Sequence, residues 1–260
     1  MEKKLTELDD RVEQLREHRR RTAQAIVSDF DEKIDLSWIY HDNALEGVVL
    51  SYHELNSAIN KRIISDVSLI PAYEEIKNQK VAIEWARATA RIPVKKRKGS
   101  ITVDTLKQLH ALLTPEEKLK GNPYRKETPL HRLYFHEIAT PDKIPARMKK
   151  VTEWLDEDET LEMHPVERAA RAHFRLMGVY PWSKNSGKAS RLLMNFPLLR
   201  DGYPPAVIHS IERQRYYDAL RNETGGLVPL ILESIGNGVE TEIRFFRELR
   251  EARRQARRAS

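Results

Sequence analysis

Hydrophobic residues recur along most of this chain at the three- and four-residue spacing that places them on one face of a helix. The pattern is clearest in four segments: after Pro71 as far as Pro93, from Thr102 to Leu113, from Ile144 to Leu155, and from Val166 to Met177. A further helix is predicted from Leu227 to Ile235, before a basic tail. Long strands do not alternate with helices and no internal repeat is present, which disfavours parallel-sheet folds. We expect a mostly α-helical domain.

The N-terminal segment has its own apolar stripe. Leu5, Leu8, Val12 and Leu15 follow one another at spacings of 3, 4 and 3 among charged residues. Such a heptad seam persists for only about two heptads here, too few for an independent coiled coil. The stripe is therefore expected to lie on the main body of the protein or to pair in a homodimer.

One region departs from the helical period. Between Gly121 and Pro145 the chain contains prolines, a Gly-Asn pair and the short run Leu133-Tyr134-Phe135. A short hydrophobic run bounded by turn residues is typical of a hairpin. The predicted fold class is therefore all-α with one short β-hairpin, over residues 130–138.

The composition excludes several kinds of chemistry. The 260 residues include no cysteine, so disulfides, thiolate nucleophiles and thiolate zinc sites are excluded. The segment from Met1 to Asp10 carries acids and no apolar run, and no stretch of about 18 uncharged apolar residues is present. We expect a soluble cytoplasmic protein with no membrane partner.

The formal net charge of +6 is concentrated in the tail. From Arg244 to Ser260 there are seven arginines and two glutamates, so the rest of the chain is close to neutral. The favoured interpretation is a solvated helix end, where arginine complements the helix dipole. The alternative is a nucleic-acid or acidic partner bound along the arginines. A second basic run, Lys95 to Lys98, has the composition of an exposed loop.

The strongest candidate for chemistry is the loop that begins at Tyr180 and leads into a second helix. Small residues followed by a helix start with Lys188 and Arg191 one turn apart suit an anion, because backbone N–H groups point at it. The loop is not a P-loop: Trp182 stands where that motif needs glycine, and Ala189 where it needs serine or threonine. The alternative is an ordinary helix–loop–helix with its basic residues facing water.

The same residues resemble a known family. The run from His164 to Asn195 is similar to the core of the Fic (Fido) domain, whose signature reads H-P-F-x-[DE]-G-N-G-[RK]-x-x-R. Similar landmarks occur in the usual order at 109–113, 121–125, 145–155 and 216–220, so the resemblance covers roughly residues 37–240. It implies a Fic-like domain over 37–240, which leaves the N-terminal segment over 1–36 as a helix and the basic segment over 241–260 as a helical tail.

Residues 41–47 resemble the inhibitory motif of the family, with Asp42 in its first place. In Fic proteins the glutamate of this motif lies over the active site and pairs with the second signature arginine, keeping the γ-phosphate of the nucleotide out of its productive position. The resemblance therefore implies a contact between Glu46 and Arg191. The alternative is that Glu46 is only structural.

Members of the family mostly transfer AMP from ATP to a hydroxyl of a target protein. Their histidine takes the hydroxyl proton, their acid holds Mg²⁺, Gly-Asn-Gly cradles the phosphates, and an arginine binds the outer phosphates. On this chain the histidine becomes Tyr180, the acid becomes Lys184, Gly-Asn becomes Asn185-Ser186, and the first arginine becomes Lys188, a lysine that the signature also allows. The matching positions are Pro181, Gly187 and Arg191.

These differences change the expected mechanism. A phenol, with a pKa near 10, is a poor base at neutral pH, and losing a positioned base costs roughly 10²- to 10⁴-fold in rate. Lys184 would repel Mg²⁺ at the usual position, so no metal site is predicted. Asn185 replaces a glycine whose backbone freedom shapes the loop, which counts against an intact cradle.

Three functional hypotheses follow. The first is a divergent Fic protein without ordinary AMP transfer that binds ATP, another nucleotide or another phosphate ligand through residues 184–188 and Arg191, or that serves only as a binding or regulatory module. The second is an active transferase with another base or donor. The third is a nucleic-acid binder that uses the tail.

The hairpin corresponds in position to the family's flap, which holds a protein target by strand addition. Leu133, Tyr134 and Phe135 would then face the target or the core. His131 and His136 lack a metal-binding spacing, and His110, His164 and His173 are expected in core or capping roles.

Overall fold

A computed structural model describes residues 1–59, 70–92, 100–118, 123–129, 136–222 and 226–259 of the chain. These ranges contain no strand. The helices are α1 (Glu2–Arg20), α2 (Gln24–Leu45), α3 (Tyr52–Ile59), α4 (Ile70–Arg91), α5 (Val103–Leu113), α6 (Pro115–Lys118), α7 (Ile144–Leu155), α8 (Asp158–Glu162), α9 (Pro165–Val179), α10 (Ser186–Arg200), α11 (Arg213–Arg221) and α12 (Leu227–Ala259). The expected all-α class is confirmed.

Helices α9 and α10 form a central pair between two hydrophobic clusters. Buried side chains of α9 enter both: Val166 and Ala169 pack with the side chains of α1, α11 and α12, whereas Ala172 and Leu176 pack with those of α2, α4, α5 and α7. Because both clusters pack against the pair, the loop from 180 to 185 is fixed at each end by buried helix.

The apolar stripe of α1 lies on the main body. Leu5, Leu8, Val12 and Leu15 are buried in the same cluster as residues of α12. Arg19 extends this contact with an ion pair from its Nε to Glu242 Oε1 at 2.5 Å. Of the two expectations for the stripe, the packing of α1 within its own chain is the one observed.

The domain boundaries predicted after residues 36 and 240 fall inside α2 and α12. The tail is continuous with α12, and Ile243 and Phe246 of this segment are buried in the core. The N-terminal helix, the Fic-like region and the tail therefore share helices rather than being joined by linkers.

The second basic run, Lys95 to Lys98, lies outside the described residues.

The short β-hairpin expected over residues 130–138 is not observed in the described part of that segment. Residues 136–138 have no strand structure, and Leu133, Tyr134 and Phe135 of the flap lie outside the described residues, as does His131. The ring of His136 is buried, and its Nε2 lies 2.9 Å from the carbonyl oxygen of Met177 on α9. No helix within the described ranges combines the length and apolar character that a membrane crossing requires.

Candidate functional site

The loop between α9 and α10 contains two residues in the left-handed region of backbone space. Tyr180 ends α9 with φ 47°, and Asn185 precedes α10 with φ 54°. Asparagine is one of the few residues other than glycine that adopts this conformation readily. Asn185 therefore adopts, at the turn into α10, a backbone conformation that glycine also adopts.

A buried serine closes the loop. Ser186 Oγ donates to the carbonyl oxygen of Trp182 at 2.7 Å and accepts from the backbone N–H of Trp182 at 2.8 Å. Both hydrogen bonds turn the hydroxyl toward the loop interior. Ser186 was expected among the ligand-binding residues, but its side chain is occupied in holding the loop.

Arg125 fixes the other side of the loop. Its Nε donates to the carbonyl oxygen of Tyr180 at 2.6 Å, and its backbone N–H donates to that of Pro181 at 2.9 Å. Its Nη1 donates to the carbonyl oxygen of Glu127 at 2.9 Å. The sequence indicated Arg125 only as a family landmark, and its role as a buried clamp appears only in three dimensions.

Arg191 is buried between two carboxylates. Its Nε donates to Asp42 Oδ1 at 2.6 Å and its Nη2 donates to Glu46 Oε1 at 2.8 Å. Burial opposes the charge of Arg191, but Asp42, Tyr216 and Glu46 outweigh it and raise its pKa well above the ordinary value. The contact between Glu46 and Arg191 that the resemblance implied is present.

Lys188 is also buried, one turn before Arg191. Its Nζ donates to Asn43 Oδ1 at 2.9 Å and lies 3.4 Å from Glu75 Oε2. Glu75 is half exposed, so Asn43 is the interior partner of the ammonium. Both cations at the start of α10 are thus bonded to side chains from α2, which ends at the predicted inhibitory motif.

Gly187 brings the Glu46 carboxylate against the first turn of α10. A Cβ atom at Gly187 would stand 2.5 Å from Glu46 Oε1 and 3.2 Å from Arg191 Nη1. Only glycine leaves room for this approach. The carboxylate therefore occupies the space in which an external anion would meet the cations and backbone N–H groups of this turn.

An open cleft of about 410 Å³ lies beside these groups. Its lining residues include Glu46, Tyr180, Lys184, Asn185, Lys188 and Arg213. The structure thus brings five of the predicted site residues around one cleft. Gly187 and Arg191 lie behind Glu46, at the start of α10.

Tyr180 and Lys184 occupy the positions of the family histidine and metal acid. The Tyr180 side chain is buried in the hydrophobic cluster that contains α12, although it also lines the cleft. Lys184 is 66% exposed, and its Nζ lies 3.8 Å from Glu116 Oε1 rather than beside Lys188. The expected grouping of Lys184 with the buried cations is therefore not observed.

These residues do not fit a magnesium ion. Lys184 places an ammonium where the family has an acid, and the carboxylates of Glu46 and Glu75 on the cleft are paired with Arg191 and Lys188. Among the described residues, no three acidic or histidine side chains are grouped so as to hold a metal.

The remaining predicted histidine roles are observed. His110 and His173 are buried, and His164 caps α9, its Nδ1 accepting from the N–H of Val166 at 3.2 Å. His110 stacks on Trp182 at 4.2 Å between ring centroids. Its Nε2 also lies 3.0 Å from the carbonyl oxygen of Lys184, so this histidine supports the loop.

Comparison with known proteins identifies the central helices. The Fic/DOC family profile matches residues 100–198, which span α5 to α10. The chain carries a Fic domain. The Fic domain thus includes the loop, Lys188 and Arg191, whereas Glu46 and its neighbours on α2 precede the matched range.

Curated relatives extend the similarity beyond that range. The chain is 28% identical over 211 residues to proteins named protein adenylyltransferase Fic from Culex quinquefasciatus and Drosophila ananassae. These matches cover 80% of the chain, but the chain matches only 41% of the length of either relative.

Solved structures agree with the Fic fold. Fic-1 from C. elegans (residues 134–508, E274G) superposes with a TM-score of 0.76 at 20% identity, covering 93% of this chain and 71% of that one. A Fic domain containing signaling protein from Bacteroides thetaiotaomicron superposes with a TM-score of 0.71 at 24% identity, covering 94% of this chain and 95% of that one. These similarities support the fold.

Proposed function

We propose that this chain is a Fic-domain protein that binds the phosphates of a nucleotide at the start of α10 and does not carry out metal-assisted AMP transfer. The observation that carries the proposal is the Glu46 carboxylate, which lies against Gly187 and pairs with Arg191. An internal anion already occupies this position, so the same donors suit a phosphate oxygen once Glu46 leaves.

Glu46 is the inhibitory residue in this proposal. It is more exposed than Asp42, with 21% of its side chain accessible against 4%. Its withdrawal leaves Arg191 still paired with Asp42, so the cation remains positioned and partly neutralised. Removing Asp42 instead would leave a buried guanidinium without its closest carboxylate, a far costlier change.

Loss of AMP transfer follows from two positions. Tyr180 supplies a phenol, protonated at neutral pH in its ordinary state, where the family uses imidazole as the base. Lys184 supplies a positive charge where the family uses a metal ligand. The relatives are named adenylyltransferases, and we carry over to this chain only their use of a nucleotide.

Calorimetric titration tests the binding proposal. ATP, UTP and CTP are titrated, with Mg²⁺ and with EDTA, into the wild-type protein and the Glu46→Gly variant. We expect at least about tenfold tighter binding by the variant, which corresponds to about 1.4 kcal/mol, and no gain from Mg²⁺. Asp156→Gly is the matched control, because Asp156 also follows a helix with nearly the same backbone angles. If neither the wild type nor Glu46→Gly binds any of the three nucleotides, the phosphate site is rejected.

A labelling assay tests the absence of transfer. Glu46→Gly is incubated with labelled nucleotides and cell lysate, and no protein band should acquire label. A labelled band that disappears in Glu46→Gly/Lys188→Ala would instead establish transferase activity at this site, with a base other than the family histidine.

A further inference from the structure

One glutamine side chain connects the two buried cations of the candidate site. Gln79 lies on α4 and is 1% exposed. Its Nε2 donates to Asp42 Oδ2 at 2.8 Å, and its Oε1 accepts from Asn43 Nδ2 at 2.9 Å. Because an amide has one accepting and one donating end, a single orientation of Gln79 satisfies both partners.

Each partner of Gln79 in turn holds one cation. Asp42 accepts from Arg191 at 2.6 Å, and Asn43 accepts from Lys188 at 2.9 Å. These five side chains form one hydrogen-bonded chain, and all five residues are buried. Hydrogen bonds shielded from water in this way reinforce one another electrostatically.

The chain has a direction. Lys188 donates to Asn43, Asn43 donates to Gln79, and Gln79 donates to Asp42. Arg191 donates to the same carboxylate from its other side. The negative charge of Asp42 therefore acts directly on Arg191 and, through two amide dipoles, on Lys188.

We propose that Gln79 is a positioning residue that holds Lys188 and Arg191 at a fixed separation, so that both cations engage one ligand with adjacent phosphate groups. The chemical class is a polyphosphate, such as the triphosphate of a nucleotide, in preference to a single phosphate. This inference rests on the proposed function, because it requires the start of α10 to bind phosphate.

Gln79→Glu tests the positioning role with little change of shape. The introduced carboxylate still accepts from Asn43 but at neutral pH has no proton to donate to Asp42. In the Glu46→Gly background, calorimetry should show about tenfold weaker binding of inorganic tripolyphosphate and less than about threefold change for inorganic phosphate. As the pH is lowered toward 5, the two facing carboxyls share a proton, and the loss should shrink.

Gln108→Glu on α5 is the matched control, because it introduces the same charge at a half-buried position outside the hydrogen-bonded chain. It should leave both affinities within about twofold. Unchanged tripolyphosphate binding in Gln79→Glu would overturn the proposal. An equal loss for both anions without recovery at lower pH would also overturn it, since that result describes general damage to the site.

A ligand-free double-mutant cycle separates this inference from the proposed function. Asp42→Asn and Lys188→Met are combined, and their effects on the unfolding equilibrium constant should depart from additivity by about fivefold. In a Gln79→Met background the two effects should add. If the two effects add in both backgrounds, Gln79 does not connect Asp42 with Lys188, and the proposal is overturned. Non-additivity with no tripolyphosphate binding by Glu46→Gly would reject the phosphate site and the polyphosphate assignment while leaving the connection supported.

Discussion

Burial beside acids and amides determines how each charge of the candidate site behaves. Arg191 and Asp42 are both inside the protein, where breaking a pair by removing one member costs about 3–5 kcal/mol. Glu46 retains partial access to water, so its charge can be rehydrated when it leaves Arg191. In the proposed function the arginine is therefore the fixed part of the site, and the glutamate is the part that leaves.

Ser186→Ala tests the structural role of the hydroxyl that closes the loop. The substitution leaves the buried N–H and carbonyl of Trp182 without their partner, so the free energy of unfolding should fall by about 1–3 kcal/mol in urea titrations. The exposed neighbour Ser183 provides a control, and its replacement by alanine should cost less than about 0.5 kcal/mol. Equal effects of the two substitutions would show that Ser186 does not hold the loop.

At the residue scale, the sequence predicts contacts only where a motif specifies them. The pair Glu46–Arg191 followed from the resemblance and is present. Lys184 was expected beside the other cations, but its side chain lies toward Glu116. The role of Gln79 depends on α4 packing against α2 and α10, and no local pattern in the sequence carries that information.

At the element scale, helices bounded by strong local signals are well predicted. The helix expected to end at Pro93 ends at Arg91, because proline disfavours helical backbone before it and cannot continue the helix. Thr102 caps α5 by accepting from the N–H of Thr105. α12 is longer than expected, because Val239, Ile243 and Phe246 continue its apolar face beneath the arginines.

Truncation of α12 distinguishes its packed part from its basic end. Ending the chain after Glu242 removes Ile243 and Phe246 from the core and should lower the free energy of unfolding by more than about 3 kcal/mol. Ending it after Arg254 leaves Ile243 and Phe246 in the core and should cost less than about 1 kcal/mol. Chemical denaturation of both forms measures the difference, and equal stability would contradict the packing of α12.

The same packing changes the test for nucleic-acid binding through the tail. A truncation that unfolds the protein cannot report on arginine contacts, whereas Arg247→Gln and Arg254→Gln alter exposed side chains. We expect the full-length protein not to be retained on DNA at low salt. Retention that weakens in both substituted proteins would support the nucleic-acid hypothesis.

At the scale of the whole molecule, the site depends on two clusters that meet at α9 and α10. Fic-type helices supply the loop and both cations, while α2 and α4 supply the acids and amides that pair with them. In the proposed function, the group that leaves the site is thus attached at the end of α2, whereas the phosphate donors belong to the central helices.

Stability of the whole molecule should fall in acid because the folded state disfavours protonation of His41 and His173. Burial lowers the pKa of His173 to about 3, and burial with the charge of His209 lowers that of His41 to about 4. In the unfolded chain both histidines bind a proton below about pH 6.5. Their contribution to stability is therefore complete above pH 6.5 and is lost as the pH falls toward the folded-state pKa values. For fully buried His173 the loss approaches about 1.4 kcal/mol per pH unit.

Urea titrations between pH 7 and pH 4.5 measure this loss. His173→Gln should flatten the pH dependence relative to the wild type, whereas His53→Gln, at an exposed position on α3, serves as the matched control. An identical slope in the wild type and His173→Gln would show that His173 does not couple folding to protonation.

Crystals of Glu46→Gly soaked with ATP in EDTA test the central claim most directly. Phosphate density should lie within hydrogen-bonding distance of the Gly187 amide, Lys188 Nζ and the Arg191 guanidinium, with Asp42 and Gln79 unmoved. A cleft empty at saturating ATP, or phosphates that appear only with Mg²⁺ and bind away from these three groups, would contradict the account.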